Sequence, residues 1–428
     1  MHATTAAVPT APVERPAHRD GNIMRWLGAY TASTVGDNVY YLALAWAAAR
    51  SGSAAQAGLV LAVGAVPRAL LMLGGGVVAD RFGPRRVVIG SDAARTVIIL
   101  GTAACLLLTG PALGLLIAIA LVFGVVDALF LPAVGALPPR ITTPGQLGRV
   151  QGLRGLASRV ADVTGAPIGG LAVALGGSVA AFTVAGGLFA VSLVLLLAVR
   201  MTPLPATAAD ATATADAAPA EDGGEVTAWR ELVGGLRYIR RHHVLAPLML
   251  VIAVGELGFT GPLNVGLTLL AKERGWGASG MGWIVAAFGI GAGAASLLLA
   301  VRGRIPRAGL VQSFALVGGA AAATGLAFAP SVALAALAGV FVGALAGLSG
   351  AICGALLQSV TEPAYLGRVT SVATLFTLGI APLSYPVTGV AIGAWGTGPV
   401  FVASAAVCAS GGLIGLASRV LRRVELPR

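Results

Sequence analysis

Six charged side chains of this sequence lie deep inside long apolar stretches, where a charge is unexpected. They are Asp37, Arg68, Asp127, Arg159, Asp162 and Glu256. A charge at the centre of a lipid bilayer costs from about 2.5 to more than 10 kcal/mol, so such a residue marks function by default. Carboxylates in a cavity can bind and release protons. We therefore predict that Asp37, Asp127 and Glu256 take part in proton coupling or substrate contact, together with Arg68 and Arg159.

Permanent ion pairs are the alternative role for the same residues. Asp37 can pair with Arg68 on a neighbouring helix, and Asp127 can pair with Arg159. Arg159 and Asp162 are three residues apart and can meet on one helix face, so a local pair is the favoured interpretation there. The four histidines all lie outside the apolar stretches, so any proton coupling must use carboxylates.

The composition is that of a polytopic membrane protein. Of the 428 residues, 57% are hydrophobic and 11% are charged, whereas soluble domains carry about 25% charged residues. The mean hydropathy is +0.89. The net charge of +11 comes from arginines between apolar runs, which favours a role in membrane orientation over nucleic-acid binding. With no nucleotide-binding loop, metal-ligand spacing or nucleophile–base pair, we expect no enzyme activity, no metal and no cofactor.

Twelve stretches are long enough to cross a bilayer, which needs about 20 apolar residues per helix. The predicted spans are 24–49, 55–79, 86–109, 112–138, 147–177, 179–200, 244–270, 279–301, 307–329, 331–357, 366–394 and 397–420. This all-α pattern predicts five regions. They are a tail at 1–23, a six-helix bundle at 24–200, a linker at 201–243, a second six-helix bundle at 244–420 and a tail at 421–428.

The predicted linker has two parts. Residues 201–228 are rich in Ala, Thr and Pro with five acids, which is typical of a disordered segment. Residues 229–243, "WRELVGGLRYIRRHH", have apolar residues at helical spacing. They predict either a helix lying on the membrane surface or a solvated helix end.

Arginines divide the connections into two sets. The connections on the same side of the membrane as both termini carry nearly all of the arginines. The connections on the other side carry only Arg50, Lys272 and Arg274 as basic residues. Because cytoplasmic loops are enriched in basic residues, both termini are predicted to be cytoplasmic in a plasma membrane.

An internal repeat relates the two halves with an offset of 219 residues. The offset aligns "LGRV" at 147–150 with 366–369, Pro167 with Pro386, Gly170 with Gly389, and "VGD" at 35–37 with "VGE" at 254–256. Four blocks in one register indicate duplicated six-span halves related by a pseudo-symmetry axis. Transporters with such repeats bind substrate near the midplane, between the halves.

The connection between spans 2 and 3 reads "GVVADRFGPRR", residues 76–86. It resembles motif A of the major facilitator superfamily. The residues that carry the resemblance are Gly76, Asp80, Arg81, Gly83, Arg85 and Arg86. Pro84 departs from the usual pattern by moving the basic pair along by one residue. In the second half, "VRGRIPR" at 301–307 has Arg304 where an aspartate is expected, so only the first half carries an intact motif.

Motif A suggests a latch at the cytoplasmic ends of the two halves. Asp80 ends span 2 on the side where span 11 begins near residue 366, and a helix N-terminus attracts a carboxylate. Docking Asp80 there would favour the outward-open state. The alternative is a loop whose arginines only set topology. Asp92 and Arg95, near the start of span 3, are expected to join the motif A network.

Within the superfamily, several stretches resemble the efflux branch that includes macrolide and enterobactin exporters. They are "TVGDNVYYLALAW", "VPRALLMLGGGVVADRFGPRR", "WRELVGGLRYIRR" and "LGRVTS". In span 5, "GAPIGG" is similar to motif C of antiporters, although its glycines follow the proline too soon. That resemblance implies a hinge formed by Gly165, Pro167, Gly169 and Gly170.

The resemblance implies a transporter with the major facilitator fold. We expect export of a small organic compound by alternating access, as a proton antiporter, with a lipophilic substrate, protons and the lipid bilayer as partners and a monomer as the functional unit. Eight polar or aromatic residues are the expected cavity lining, unless they face lipid. They are Tyr30, Tyr40, Tyr41, Trp46, Phe259, Asn264, Phe376 and Tyr385. The alternatives are a proton-coupled importer and a membrane sensor that transports nothing.

Overall fold

A computed structural model describes residues 19–110, 112–143, 146–200, 224–302, 306–362 and 365–425, and this part of the chain contains helices but no strand. The helices of the first half are α1 Gly21–Ser51, α2 Ala54–Phe82, α3 Pro84–Thr109, α4 Leu113–Gly135 and α5 Leu147–Leu197. Next come α6 Gly224–Arg241, α7 Leu245–Gly261, α8 Leu267–Glu273, α9 Gly277–Arg302 and α10 Ala308–Ala327. The last are α11 Val332–Val360, α12 Leu366–Gly379, α13 Ala381–Trp395, α14 Thr397–Ala417 and α15 Arg419–Arg423.

The described helices make the twelve crossings that the hydropathy pattern predicts. Within the described residues, ten stretches are long and apolar enough to span a membrane. In two of them a crossing consists of two consecutive helices, α7 with α8 and α12 with α13. The 51-residue α5 holds two crossings, because non-helical dihedrals at Gly176 and Gly177 separate 147–175 from 178–197. The 31-residue α1 completes the set; polar residues near its middle, among them Asp37, lower its hydropathy.

Repeat-related glycines hold the two six-helix bundles together. A Cβ on Gly170 of α5 would lie 2.5 Å from the carbonyl oxygen of Ala278 in α9. A Cβ on Gly389 of α13 would lie 2.5 Å from the carbonyl oxygen of Ala54 in α2. The two interfaces, α5 with α9 and α2 with α13, are therefore equivalent. The 219-residue offset of the sequence repeat therefore also relates equivalent positions in the two halves of the fold.

The contacts between the bundles lie toward one end of the molecule. We call the end that carries Arg25, Arg81 and Arg149 the arginine-rich end, and the end that carries Arg50 and Lys272 the opposite end. Besides the glycine interfaces, the Nζ of Lys272 donates to the carbonyl oxygen of Ala49 at the opposite end, joining α8 to α1. The two halves thus meet at the opposite end.

The amphipathic segment forms a helix, α6, that packs on the second bundle. The ring of Tyr238 stacks on Tyr365 with centroids 4.3 Å apart, and Ile239 is buried beside Leu245. The backbone of Gly235 lies close to Arg368 at the start of α12. Protein therefore covers one face of the C-terminal part of α6. This part is neither a solvated helix end nor a helix that contacts only the membrane surface. The rest of the predicted linker, 201–223, falls outside the described residues.

Candidate functional site

A cavity of about 520 Å³ lies between the two bundles. Both halves contribute to its wall, with residues of α1, α2, α4 and α5 facing residues of α7 to α13. Four charged residues line it: Arg68, Arg159 and Asp162 from the first half and Glu256 from the second. This is the position that the repeat architecture predicts for a substrate site.

Five of the eight expected lining residues border this cavity. They are Tyr40, Tyr41, Phe259, Asn264 and Tyr385. Tyr30 and Phe376 pack in separate apolar clusters instead. Trp46 borders a second cavity of about 480 Å³ at the opposite end. These three side chains lie at a different depth or on a different helix face from the cavity wall, which spacing along the chain does not reveal.

Asp127 is the centre of a buried charge cluster in the first bundle. Its Oδ2 lies 3.1 Å from the Nε of Arg68 on α2 and accepts a hydrogen bond of 3.3 Å from the hydroxyl of Tyr41 on α1. Its Oδ1 accepts from the Nη2 of Arg95 on α3. One carboxylate on α4 therefore ties together the three preceding helices.

Arg95 connects the other two carboxylates of the cluster. Its Nη1 lies 3.6 Å from Oδ1 of Asp37 and 3.6 Å from Oδ1 of Asp92. The guanidinium is fully buried and lies 3.9 Å from the ring centroid of Phe130, where the π face offers further stabilisation to a cation. Asp92 also accepts hydrogen bonds from two hydroxyl groups, those of Ser33 on α1 and Ser192 on the second part of α5.

The expected place of Asp92 and Arg95 in the motif A network is wrong. Arg95 lies eleven residues after the start of α3 at Pro84, which is about 16 Å of helix at 1.5 Å per residue. That depth brings it level with Asp127. The sequence already indicates this depth, because Arg95 lies well inside the span and not next to the motif A loop.

Two of the expected ion pairs are also corrected. Asp37 pairs with Arg95 rather than Arg68, and Asp127 pairs with Arg68 and Arg95 rather than Arg159. The physical reason is that Arg95 lies between the carboxylates of α1 and α4.

The local pair on α5 is confirmed. The Nη1 of Arg159 lies 3.4 Å from Oδ2 of Asp162, and about half of each side chain is exposed. Both residues border the cavity, so this pair forms part of its wall.

Glu256 has a different environment from its repeat counterpart Asp37. Glu256 lines the cavity and accepts a 2.9 Å hydrogen bond from Thr260, one turn along α7. Among the described residues no arginine or lysine forms an ion pair with it. Asp37 lies behind the opposite wall in the charge cluster. The two carboxylates thus lie at equivalent positions of the repeat, and within the described part of the chain Asp37 has a counter-ion and Glu256 has none.

The motif A loop joins α2 directly to α3. Asp80 and Arg81 are in the last turn of α2, Gly83 turns the chain with φ of 83°, and Pro84 opens α3. A positive φ is costly for residues with a Cβ, which accounts for Gly83. The environment of the Asp80 side chain and that of Gly76 fall outside what the structure describes, so the latch stays a prediction.

The basic residues of motif A lie at the surface. Arg81, Arg85 and Arg86 are exposed. The Nη2 of Arg85 donates to the carbonyl oxygen of Leu197, at the end of α5, over 3.4 Å. This contact fixes the loop against its own bundle, and the guanidinium of Arg81 lies over the ring of Phe82, 5.9 Å from its centroid.

The glycines of the predicted span 5 hinge lie in tight helix contacts. A Cβ on Gly165 would lie 2.5 Å from the Cβ of Asn38, and one on Gly169 would lie 3.3 Å from the Cα of Val39. Pro167 lies inside continuous α5, whose dihedrals depart from helical values only near residue 176. The glycines allow close packing against α1, and their role as a hinge remains a prediction.

The family model of the Major Facilitator Superfamily matches residues 26–277, more than half of the chain. The chain belongs to the major facilitator superfamily. It is therefore a multi-pass membrane protein with the fold of these transporters. No curated protein matches the sequence.

Solved structures of major facilitator transporters share the fold at low sequence identity. An aspartate-to-alanine mutant of the nucleoside transporter NupG has a TM-score of 0.70 and 13% identity, with coverages of 93% of this chain and 100% of the NupG chain. An inward-facing, occupied bacterial homologue of the human lysosomal transporter Spinster has a TM-score of 0.71 and 14% identity, with coverages of 96% and 99%. The inward-open xylose transporter XylE from E. coli has a TM-score of 0.64 and 15% identity, with coverages of 93% and 94%.

Proposed function

We propose that this major facilitator transporter exports lipophilic organic cations across the plasma membrane in exchange for protons. The observation that carries the proposal is Glu256, a carboxylate in the cavity wall that has Thr260 as a hydrogen-bond donor and no counter-cation among the described residues. Four stretches of the sequence also resemble the efflux branch of the superfamily, and export in exchange for protons is the activity that this resemblance implies.

A lone carboxylate within a membrane protein needs a positive partner. Burying an unpaired charge costs several kcal/mol, and a proton or a substrate cation at Glu256 removes that cost. The two occupants compete for one carboxylate. This competition is the basis of exchange, because loading one occupant releases the other.

The surrounding wall favours a lipophilic cation. The rings of Phe259 and Phe288 lie next to each other, with centroids 6.0 Å apart, and both line the cavity with Glu256. Aromatic faces attract organic cations, most strongly where water is excluded. The amide side chains among the lining residues are Asn38 and Asn264. Such a wall offers few groups for a substrate rich in hydroxyls.

The packing of the halves supports loading from the cytoplasm. The bundles meet at the opposite end through Gly170, Gly389 and Lys272, which leaves the arginine-rich end for access to the cavity. Cytoplasmic loops carry the excess of basic residues, so we assign the arginine-rich end to the cytoplasm. Closing that end would use the motif A latch at Asp80, and the functional unit we propose is the monomer.

Transport of ethidium, a fluorescent lipophilic monocation, into everted membrane vesicles tests the proposal. A proton gradient should drive accumulation by the wild-type protein, and Glu256→Gln should abolish it because the uncharged amide holds neither occupant. Glu362→Gln is the matched control, since Glu362 lies in the connection between α11 and α12. Proton-driven uptake into right-side-out cells instead, or full activity of Glu256→Gln, would contradict export by this mechanism.

A further inference from the structure

The buried cluster of the first bundle carries unequal numbers of positive and negative groups. Three carboxylates, Asp37, Asp92 and Asp127, surround two guanidiniums, Arg68 and Arg95. Three negative charges against two positive charges leave one surplus negative charge when all five groups are ionised. The facing phenols of Tyr40 and Tyr41 are uncharged near neutral pH and do not alter this balance.

The enclosure of the cluster makes the surplus charge costly. The side chains of Arg95 and Asp92 have no exposed surface and that of Asp127 is 2% exposed. Hydroxyl groups such as that of Ser33 donate hydrogen bonds to the carboxylates, which lowers the cost of burial but adds no positive charge. An uncompensated buried charge costs several kcal/mol even after relaxation. The cluster is therefore electrically balanced when it holds one proton.

The contacts of the three carboxylates place that proton on Asp37. Both oxygens of Asp127 lie against guanidinium groups, and both oxygens of Asp92 accept hydroxyl hydrogen bonds. The Oδ1 of Asp37 is buried without a hydrogen-bond partner, 3.6 Å from the Nη1 of Arg95. The Asp37 side chain is also 19% exposed, more than those of Asp92 and Asp127.

The charge of the cluster extends to the cavity wall through Arg68. This side chain is 30% exposed and lines the cavity, while its Nε faces Asp127 and its Nη1 donates to the hydroxyl of Tyr41 over 3.0 Å. A cation in the cavity therefore interacts with a wall whose net charge depends on the proton at Asp37.

We propose that Asp37 is a second proton site, so that the two halves each hold one exchangeable proton, and that the charge of the substrate sets how many protons it displaces. This inference rests on the proposed exchange at Glu256. When Asp37 and Glu256 are both ionised, each half contributes one surplus negative charge. The cavity then balances two positive charges on a bound substrate. An organic monocation displaces about one proton, and an organic dication displaces about two. The preferred substrates are then compounds with two separated cationic groups.

Counting the protons released on binding tests this inference with the purified full-length protein. Tetraphenylphosphonium serves as the monocation and dequalinium as the dication, each added to weakly buffered protein with a pH-indicating dye. The wild type should release about one proton per bound tetraphenylphosphonium and about two per bound dequalinium. Asp37→Asn should release about one with either probe, and Asp127→Asn, which also removes the surplus charge, should behave in the same way. Glu362→Gln is the control and should match the wild type.

The outcomes separate the inference from the proposed function. Release of about one proton by both probes from the wild type, or two protons by dequalinium from Asp37→Asn, overturns the second site while leaving exchange at Glu256 intact. Absence of binding by both probes overturns the proposal that the cavity takes organic cations, and the second site falls with it.

Discussion

The Nε of Arg68 lies 3.1 Å from Oδ2 of Asp127, so a guanidinium in the cavity wall is joined to a carboxylate that is almost fully buried. On the other side of Asp127, Oδ1 accepts from Arg95. The Arg68–Asp127 pair is therefore the part of the buried charge cluster that lies nearest the cavity. The cluster joins the four helices α1, α2, α3 and α4. Direct contacts therefore connect the cavity wall at Arg68 with the buried interior of the bundle at Arg95.

Arginine and aspartate replacements in this cluster should have unequal effects on stability. Arg95→Gln leaves three carboxylates with one guanidinium and should lower the free energy of unfolding by about 3–5 kcal/mol, the cost of breaking a buried pair from one side. Asp37→Asn resembles the protonated cluster and should change stability far less. Thermal unfolding of the purified variants measures the difference.

The exposed pair on α5 is the control for that comparison. Arg159→Gln removes a partner of Asp162 where both side chains are about half exposed, and such pairs contribute about 0–1 kcal/mol. If Arg159→Gln destabilised the protein as much as Arg95→Gln, burial of the cluster would not be the cause.

Larger side chains at the repeat-related glycines should separate the halves. The Cβ of Gly170→Leu would lie within 2.5 Å of the carbonyl oxygen of Ala278, so α5 and α9 must move apart. We expect a longer distance between spin labels attached at Arg50→Cys and Pro330→Cys, which lie at the opposite end of different bundles, in a background without native cysteines. Gly293→Leu should leave the distance unchanged, because open space surrounds that position. Equal shifts in both variants would contradict the packing role of Gly170.

The first turn of α7 should lose stability on acidification. The Nδ1 of His242 accepts hydrogen bonds of 3.3 Å from the backbone N–H groups of Val244 and Leu245, which requires the neutral ring. Burial and, to a lesser degree, His243 lower the pKa of His242 below its ordinary value of 6.5, against the opposing influence of Glu362. A lowered pKa means that this contribution is complete above pH 6.5 and is lost as the pH falls through the folded-state pKa.

His242→Asn tests this titration, because asparagine offers an acceptor to the helix start without titrating. The melting temperature of the wild type should fall more between pH 8 and pH 5 than that of His242→Asn. Parallel pH profiles would show that the ring nitrogen is not the titrating group.

Motif A predicts an asymmetric latch. Asp80→Asn should impair ethidium transport in everted vesicles while leaving the amount of protein in the membrane unchanged, because the acid is needed for docking and not for insertion. Arg304→Gln, at the position where the second half lacks the acid, should have a much smaller effect. Equal losses of transport activity in both variants would indicate that the motif A loop only sets the topology.

Much of the fold follows from local sequence patterns. The apolar stretches, the arginines between them and the 219-residue offset predict twelve spans in two related halves, because each span must satisfy its own backbone hydrogen bonds within lipid. Gly170 and Gly389 could be matched by register alone, and the structure places both at equivalent interfaces. The helical spacing of apolar residues at 229–243 likewise predicts α6 as a helix but does not determine which surface it covers.

The tertiary structure alone decided which charges on different helices meet. The spacing of Arg159 and Asp162 on one helix predicts their local pair, which the structure confirms. Pairs between helices do not follow from spacing, since they depend on the rotation and depth of each helix: Asp37 pairs with Arg95 rather than Arg68. Asp127 likewise pairs with Arg68 and Arg95 rather than Arg159. Arg95 contacts all three carboxylates of the cluster because α3 places it level with α4. Glu256 and Asp37 are equivalent in the repeat, and the packing of side chains around them left one in the cavity wall and the other in the buried cluster. Sequence spacing determines which residues share a helix, whereas only the assembled bundle determines which helix faces oppose each other.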